Sequence, residues 1–231
     1  DKDLCMSPDD LIKKINKKTK VVIYTQMNGR VGQIDHIKNI CKKKKLFLIE
    51  DAAHAIGSYK NKTHVGNSGI AGSFSFSMPK LITMGQGGAV ITNNTKLARR
   101  LRLYKNFGRK KSGEDVHKYI GYNFKITDMQ SMLGLEQLKT INWRIKKKKD
   151  IFARYKDKLK NNSKIKFFDI KNGETPWSVD IYLKEVKEVK KMLEKNNILT
   201  RYVYPPLNSQ KIYNHFKNLP ISNFYCNRGL W

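Results

Sequence analysis

Asp51 and Lys80 are the residues whose types and positions most directly suggest chemistry in this sequence. Asp51 follows Leu46 to Ile49, a short apolar run that predicts a buried strand, and therefore lies at the strand edge where α/β sheets place their ligands. Lys80 lies just beyond a second predicted strand, Ser73 to Ser77. Taken singly, Asp51 would be interpreted as a helix cap or surface turn, and Lys80 as a solvated side chain.

Taken together, these residues match what pyridoxal 5'-phosphate (PLP) chemistry requires. That chemistry needs a lysine whose amine forms a Schiff base, and an acid that keeps the pyridine nitrogen protonated so that the ring accepts electrons. His54 can supply a contact to the ring, and Ser75 a hydroxyl for the phosphate. The sequence therefore predicts a PLP site with Lys80 as the catalytic residue, and with Asp51, His54, Ser75 and Lys80 as cofactor contacts. It predicts no metal site.

The elements that must position these residues indicate α/β architecture. Val21 to Thr25 and Leu46 to Ile49 are predicted strands, and Ile34 to Lys45 carries the apolar spacing of an amphipathic helix. Strands that are apolar throughout predict a parallel sheet covered on both faces. A further strand is expected at Ala89 to Thr92, followed by a helix over Thr95 to Lys105.

A long helix is predicted to connect this region to a second one. Thr127 and Gln130 have the spacing of a capping box, in which each side chain satisfies a free backbone N–H group at the helix start. The helix should run towards Lys160 and bury one apolar side, formed by Met129, Met132, Leu133, Leu138, Ile141 and Ile145.

Beyond this helix the pattern changes to a small α+β domain. Strands are expected at Ile165 to Ile170, at Trp177 to Leu183 and at Ile198 to Tyr204, with a helix over Glu185 to Lys195. The chain is therefore divided into part of a large, mainly parallel α/β domain (1–126), a connecting helix (127–160) and an incomplete small C-terminal domain (161–231).

Composition narrows the class of protein. The formal net charge is +28, but lysine supplies most of it, whereas nucleic-acid readers usually depend on arginine for bidentate contacts. We therefore expect an anionic small substrate and no specific nucleic acid. Three widely spaced cysteines favour free thiols. No apolar run approaches a membrane span, so a cytosolic protein with no membrane partner is predicted.

Five motifs in order resemble the DegT/DnrJ/EryC1/StrS family of PLP-dependent sugar aminotransferases. They are Glu50 to Ala55, Gly72 to Lys80, Gly85 to Asn93, Gly121 to Phe124, and Arg201 to Pro206. The resemblance implies an aspartate-aminotransferase-like α/β fold, that of fold type I of the PLP-dependent transferases. The Ser-Phe-Ser-Met-Pro-Lys motif and Asn28-Gly29-Arg30 look most like the perosamine-synthase members, which aminate the 4-keto group of nucleotide-linked 6-deoxysugars.

The resemblance also implies a role for each residue. Lys80 would be the Schiff-base lysine and proton shuttle, Asp51 would pair with the pyridine nitrogen, and His54 would lie near the ring oxygen. Ser75 would bind the phosphate, and Asn123 would touch the phosphate in the partner subunit's site, which implies a homodimer. L-Glutamate would donate the amino group to a nucleotide-linked keto-deoxysugar, favoured to be a 4-keto-6-deoxyhexose, in glycan precursor synthesis.

The sequence departs from the family pattern in two places. Lys125 stands where family members often carry Arg, and the family's Gly-Thr phosphate loop belongs to a preceding segment, so the chain is expected to be N-terminally truncated. Three competing hypotheses stay open at this point. The first is a sugar 3-dehydratase, which would carry His in place of Lys80. The second is a catalytically impaired or regulatory relative, and the third is a basic nucleic-acid-binding protein.

Overall fold

A computed structural model describes residues 3–111, 113–117, 119–213 and 219–231. The helices within these ranges are α1 (Pro8–Lys14), α2 (Ile34–Lys43), α3 (Thr95–Lys105), α4 (Asp128–Lys139), α5 (Ile141–Leu159), α6 (Val186–Lys195) and α7 (Pro220–Cys226). The strands are β1 (Val21–Thr25), β2 (Phe47–Asp51), β3 (Tyr59–Lys60), β4 (Thr63–His64), β5 (Ala71–Ser75), β6 (Gly88–Ile91), β7 (Lys166–Phe167), β8 (Ile181–Tyr182) and β9 (Gly229–Leu230).

The main sheet is mixed and mostly parallel, as predicted. Its strand order is β1-β2-β5-β6, with β1, β2 and β5 parallel and β6 antiparallel to β5. The register pairs Asp51 with Thr25 on one side and with Ser73 on the other. The carboxyl ends of the parallel strands therefore meet at one edge, which is where Asp51 was expected to lie.

The expectation that both faces of this sheet are covered is wrong for the described residues. On one face, α2 buries Ile34 and Ile37 in a core that also contains Val22. On the other face, Ile23 and Phe47 are both 58% exposed. In a strand, successive side chains point to opposite faces, so an apolar run shows that both faces can be buried without showing what covers them.

The single long helix predicted over Thr127 to Lys160 is also wrong, because it is two helices. The capping box at its start is confirmed, with both Thr127 and Gln130 bonds formed. Thr140 then leaves the helical conformation, and its hydroxyl donates to the Gln137 carbonyl at 3.1 Å, a local bond that competes with helix continuation. The predicted buried side is exposed over α4, where Met129 is 83% and Met132 67% exposed.

The C-terminal region contains a three-stranded antiparallel sheet, β7-β8-β9. The α6 helix is confirmed and packs Val186 against Leu183 and Leu230. The strand expected at Ile198 to Tyr204 is reduced to a single bridge, Tyr202 to Leu230, and the third strand is β9 instead. Prolines directly after Tyr204 lack the N–H groups that would extend the pairing. The proposed domain boundaries stay a prediction.

Candidate active site

Asp51 is the last residue of β2 and is positioned by its pairing with Thr25 and Ser73 in the neighbouring strands. Its Oδ1 accepts a hydrogen bond from the Ala53 N–H at 3.2 Å, which fixes the carboxylate over the following turn. Side chains alternate between the two faces along a strand, and Leu48 and Glu50 of β2 are buried on the face that α2 covers. Asp51 and Phe47 therefore lie on the opposite face, together with Ile23 of the paired strand β1. The carboxylate therefore lies at the sheet edge on the face that the described residues leave open.

Glu50, the preceding residue, points the other way and is fully buried. Its carboxylate accepts hydrogen bonds from four donors, namely Gln26 Nε2 at 2.5 Å, Gly66 N at 3.0 Å, Ser68 N at 2.5 Å and Gly69 N at 3.1 Å. These bonds attach the loop before β5 to the end of β2. Glu50 therefore fixes the carboxyl end of β2, the strand that ends at Asp51.

Lys80 lies in the turn after β5, where its backbone N–H donates to the Ser77 carbonyl at 3.0 Å. Its ammonium nitrogen lies 5.1 Å from the centre of the Trp177 ring. Partial burial lowers the pKa of Lys80, although the nearby Asp51 carboxylate opposes the shift. A lowered pKa increases the fraction of neutral amine, which is the nucleophilic form.

His54 lies close enough to both Asp51 and Lys80 for their charges to act on its ring. Its ring stacks on Trp177 with 4.2 Å between the ring centres and 10° between the planes. Its Nδ1 lies 3.1 Å from Asn28 Oδ1. Burial first, and then the positive charge of Lys80, lower the pKa of His54 to about 4, against the opposing effect of Asp51. His54 is therefore neutral near pH 7.

Trp177 is the residue that contacts both His54 and Lys80, and its role could not be predicted from the sequence. The indole N–H donates to the Pro79 carbonyl at 2.9 Å. The Trp177 backbone N–H donates to the Asn28 carbonyl at 3.3 Å, and its carbonyl accepts from Lys148 Nζ at 2.7 Å. Trp177 was assigned only to a strand, and no local pattern indicates contacts with residues so far away in sequence.

Asn28 and Arg30 form a second link between distant parts of the chain. Arg30 pairs with the buried Asp180 at 2.5 Å and also donates to the Phe168 and Asp169 carbonyls at 2.9 and 3.2 Å. Asn28 Nδ2 donates to Asp180 at 3.1 Å. The sequence indicates Asn28-Gly29-Arg30 only as part of the resemblance, and the structure shows that Asn28 and Arg30 anchor a buried network around Asp180.

The structure brings Asp51, His54 and Lys80 together. Ser75 ends β5, and its hydroxyl lies 3.2 Å from the Ser77 hydroxyl. Asn123 is exposed and forms a β-bridge with Asn106 near the end of α3, so its predicted contact in a partner's site is neither formed nor tested within one chain. The cofactor roles of all five predicted residues stay predictions.

Comparisons with known proteins identify the family of this chain. The model of the DegT/DnrJ/EryC1/StrS aminotransferase family matches residues 1–231. The chain belongs to this family. The resemblance stated from the motifs is thereby confirmed.

Two curated relatives have similar sequences to this DegT/DnrJ/EryC1/StrS family member. GDP-perosamine synthase of Vibrio cholerae is 32% identical over 237 residues, covering 98% of this chain and 64% of that protein. UDP-4-amino-4,6-dideoxy-N-acetyl-beta-L-altrosamine transaminase of Helicobacter pylori is 36% identical over 155 residues, covering 66% of this chain and 41% of that protein. The chain thus spans less than two thirds of the length of these relatives.

Solved structures show the same fold. Helicobacter pylori PseC, an aminotransferase involved in the biosynthesis of pseudoaminic acid, has 27% identity and a TM-score of 0.94 and covers 100% of this chain and 65% of its own. A family aminotransferase from Brucella abortus has 27% identity and a TM-score of 0.90, with the same two coverages. The predicted aspartate-aminotransferase-like α/β fold is confirmed.

No helix within the described residues is both long enough and apolar enough to cross a membrane.

Proposed function

We propose that this family member contributes the amine-bearing part of the active site of a PLP-dependent sugar aminotransferase. The reaction would move an amino group from L-glutamate to a nucleotide-linked keto-deoxysugar, with a 4-keto-6-deoxyhexose favoured. The observation that carries the proposal is the cluster of Asp51, His54 and Lys80, in which the His54 ring and the Lys80 ammonium both lie against Trp177. The names of the two curated relatives, a GDP-perosamine synthase and a transaminase of a UDP-linked amino sugar, support the substrate class.

The residues present fit PLP. The cofactor needs an acid for its pyridine nitrogen and a lysine for its aldehyde, and when bound it supplies an electron sink for the carbanion at the amino-acid α-carbon. Asp51 and Lys80 are near enough for the carboxylate to oppose the lowering of the Lys80 pKa. The Ser75 and Ser77 hydroxyls lie together at the end of β5, where they can donate to a phosphate.

The residues of this chain would divide the work by their charge and position. Asp51, whose Oδ1 accepts from the Ala53 N–H, would accept a hydrogen bond from a protonated ring nitrogen of the cofactor. Lys80 would hold the cofactor's aldehyde through its amine, and as a free amine near Asp51 it would take and return a proton. Trp177 lies against the His54 ring and near the Lys80 ammonium, and it would restrict the access of water on that side.

A homodimer is part of the proposal. Helix α4, which follows Asn123 in the sequence, carries exposed apolar side chains. The most exposed of these are Met129, Met132 and Leu135. Such a contiguous apolar surface typically marks a protein–protein contact. A partner on this surface would lie beside Asn123, as the predicted contribution of Asn123 to the partner's site requires.

The deciding experiment combines absorbance spectroscopy with chemical mapping. Purified protein incubated with PLP should develop a visible band that L-glutamate bleaches and that Lys80→Ala lacks. Borohydride reduction followed by peptide mass spectrometry should place the pyridoxyl group on Lys80, rather than spread it over the other lysines. Lys139→Ala, which changes an exposed lysine, should behave as the parent.

Scattered labelling would show non-specific reaction of PLP with a lysine-rich surface and would contradict the proposed site. A mapped Lys80 adduct without bleaching by L-glutamate would retain the cofactor and reject the donor. Product analysis with GDP-, UDP- and dTDP-linked keto sugars then tests the substrate class.

A further inference from the structure

The orientation of the Asn28 side-chain amide follows from its buried neighbours. The Asp180 carboxylate pairs with Arg30 at 2.5 Å and accepts from the Ser178 hydroxyl and from Asn28 Nδ2 at 3.1 Å. A carboxylate paired with a guanidinium can only accept hydrogen bonds, so the amide must present its NH₂ group to Asp180. The Asn28 carbonyl oxygen consequently points to the opposite partner, which is His54.

This orientation determines which nitrogen of His54 carries the proton. Asn28 Oδ1 lies 3.1 Å from His54 Nδ1 and can only accept. We propose that the Asn28–Asp180 pair holds His54 as the Nδ1–H tautomer and leaves Nε2 as a hydrogen-bond acceptor for a hydroxyl or N–H group bound beside Asp51 and Lys80. Asn28 and Asp180 are then positioning residues that act on the site through His54.

Two further features of the structure agree with this role. The Asn28 backbone carbonyl accepts from the Trp177 N–H at 3.3 Å, and the Trp177 ring stacks on His54. Asn28 therefore controls the ring edge of His54 directly and its ring face through Trp177. Asn28 also has a φ of +51°, a conformation that asparagine tolerates better than most residues.

The significance of Nε2 for catalysis rests on the proposed function, whereas the tautomer itself does not. A neutral His54 with an acceptor at Nε2 can receive a hydrogen bond from a protonated oxygen or nitrogen of a ligand, but it cannot donate one there. This restricts which protonation state of a bound ring oxygen or substrate hydroxyl the site favours.

The tautomer can be read by nitrogen-15 NMR of the histidine rings in the chain without added cofactor. We expect the parent to show a protonated Nδ1 and an unprotonated Nε2 at His54, with His54→Gln used to assign the signals. His64 provides an internal reference, because its Nδ1 lies 2.7 Å from the Val65 carbonyl and its Nε2 accepts from the Gly57 N–H at 3.0 Å. It should show the same tautomer through backbone contacts alone.

Asn28→Gly tests the cause, since glycine retains the backbone conformation and removes only the amide. His54 should then shift towards the Nε2–H form, which free histidine prefers, while the His64 signals stay unchanged. Ser178→Ala, the matched control, removes another donor to Asp180 and should leave the His54 tautomer as in the parent.

An Nε2–H signal at His54 in the parent would overturn the proposal, as would an unchanged tautomer in Asn28→Gly. If Asn28→Gly disturbs the His64 signals as well, the parent spectrum decides the tautomer, and Asn28→Ser, which shortens the side chain, repeats the test of its cause. Because no cofactor is involved, absence of PLP binding would reject the proposed function and leave this inference standing.

Discussion

Replacing Asp180 with alanine should lower the free energy of unfolding by about 3–5 kcal/mol, the usual cost of breaking a buried ion pair from one side. Arg30 is 1% exposed and Asp180 is 0% exposed, so the remaining guanidinium would stay buried without its counter-ion. The buried amide of Asn28 would also lose its acceptor, at a cost of roughly 1–3 kcal/mol. The partly buried hydroxyl of Ser178 would lose the same acceptor at a smaller cost.

Other contacts of Arg30 limit the loss. Its guanidinium would still donate to the carbonyls of Phe168 and Asp169 and would still lie 5.7 Å from the centre of the Phe168 ring. We therefore expect a value of about 4 kcal/mol, because the retained bonds offset part of the orphaned donors. This is a large share of the roughly 5–15 kcal/mol that stabilises a folded domain.

Urea unfolding followed by far-UV circular dichroism measures this quantity. Glu136→Ala, the control, removes an exposed ion pair with Lys139 and should leave the unfolding midpoint nearly unchanged. The double variant Arg30→Met with Asp180→Leu should recover only part of the lost stability, because it removes the buried unpaired cation. It still leaves the Asn28 amide and the carbonyls of Phe168 and Asp169 without their partners. A loss below about 1 kcal/mol in Asp180→Ala would refute the reasoning, since it would mean that the cation finds water or another partner.

Three further outcomes are expected. Thr127→Ala should lower the free energy of unfolding in urea by about 1 kcal/mol, because it removes the capping box. Thr140 makes no side-chain cap bond at the start of α5, so Thr140→Ala should cost less. Equal losses in the two variants would argue against capping. Burial lowers the pKa of His54 to about 4, below its value in the unfolded chain. The contribution of His54 to stability is therefore present above about pH 6.5 and is lost as the pH falls towards 4. An NMR titration that finds the inflection of His54 near pH 6.5 would be inconsistent with this burial. Glu50→Gln should destabilise by roughly 2 kcal/mol, because an amide NH₂ would face backbone donors, and Glu136→Gln serves as the exposed comparison in the same urea assay.

Much of the fold could be predicted from local patterns. The helix at Thr95–Lys105 has the predicted bounds, and the capping box at Thr127 is formed. These features depend on residues within one or two helical turns of each other. The break at Thr140 and the exposed side of α4 could not be predicted, because they depend on local hydroxyl competition and on what packs against the helix.

The site was predictable to the extent that it lies at strand ends. Asp51 is the last residue of β2 and Lys80 lies in the turn after β5, so parallel pairing of the two strands brings both to one edge of the sheet. Trp177 and Asp180 could not be found in this way, because they come from a distant segment whose packing against Asn28 no periodicity reports. The resemblance implied a chemistry, while the structure shows which contacts hold Asp51, His54 and Lys80 in place.

The contact between Trp177 and the Lys80 turn also has a consequence for the order in which the protein matures during synthesis. The indole N–H bonds Pro79, which lies 98 positions earlier in the chain, and Asp180 bonds Asn28 across 152 positions. The N-terminal strands and α2 can collapse while the ribosome is still adding later residues, because their contacts are close in sequence. His54 and Lys80, however, gain their contacts with Trp177 only after that residue has been synthesised. The candidate site therefore cannot reach its final geometry until the segment that contains Trp177 has left the ribosome.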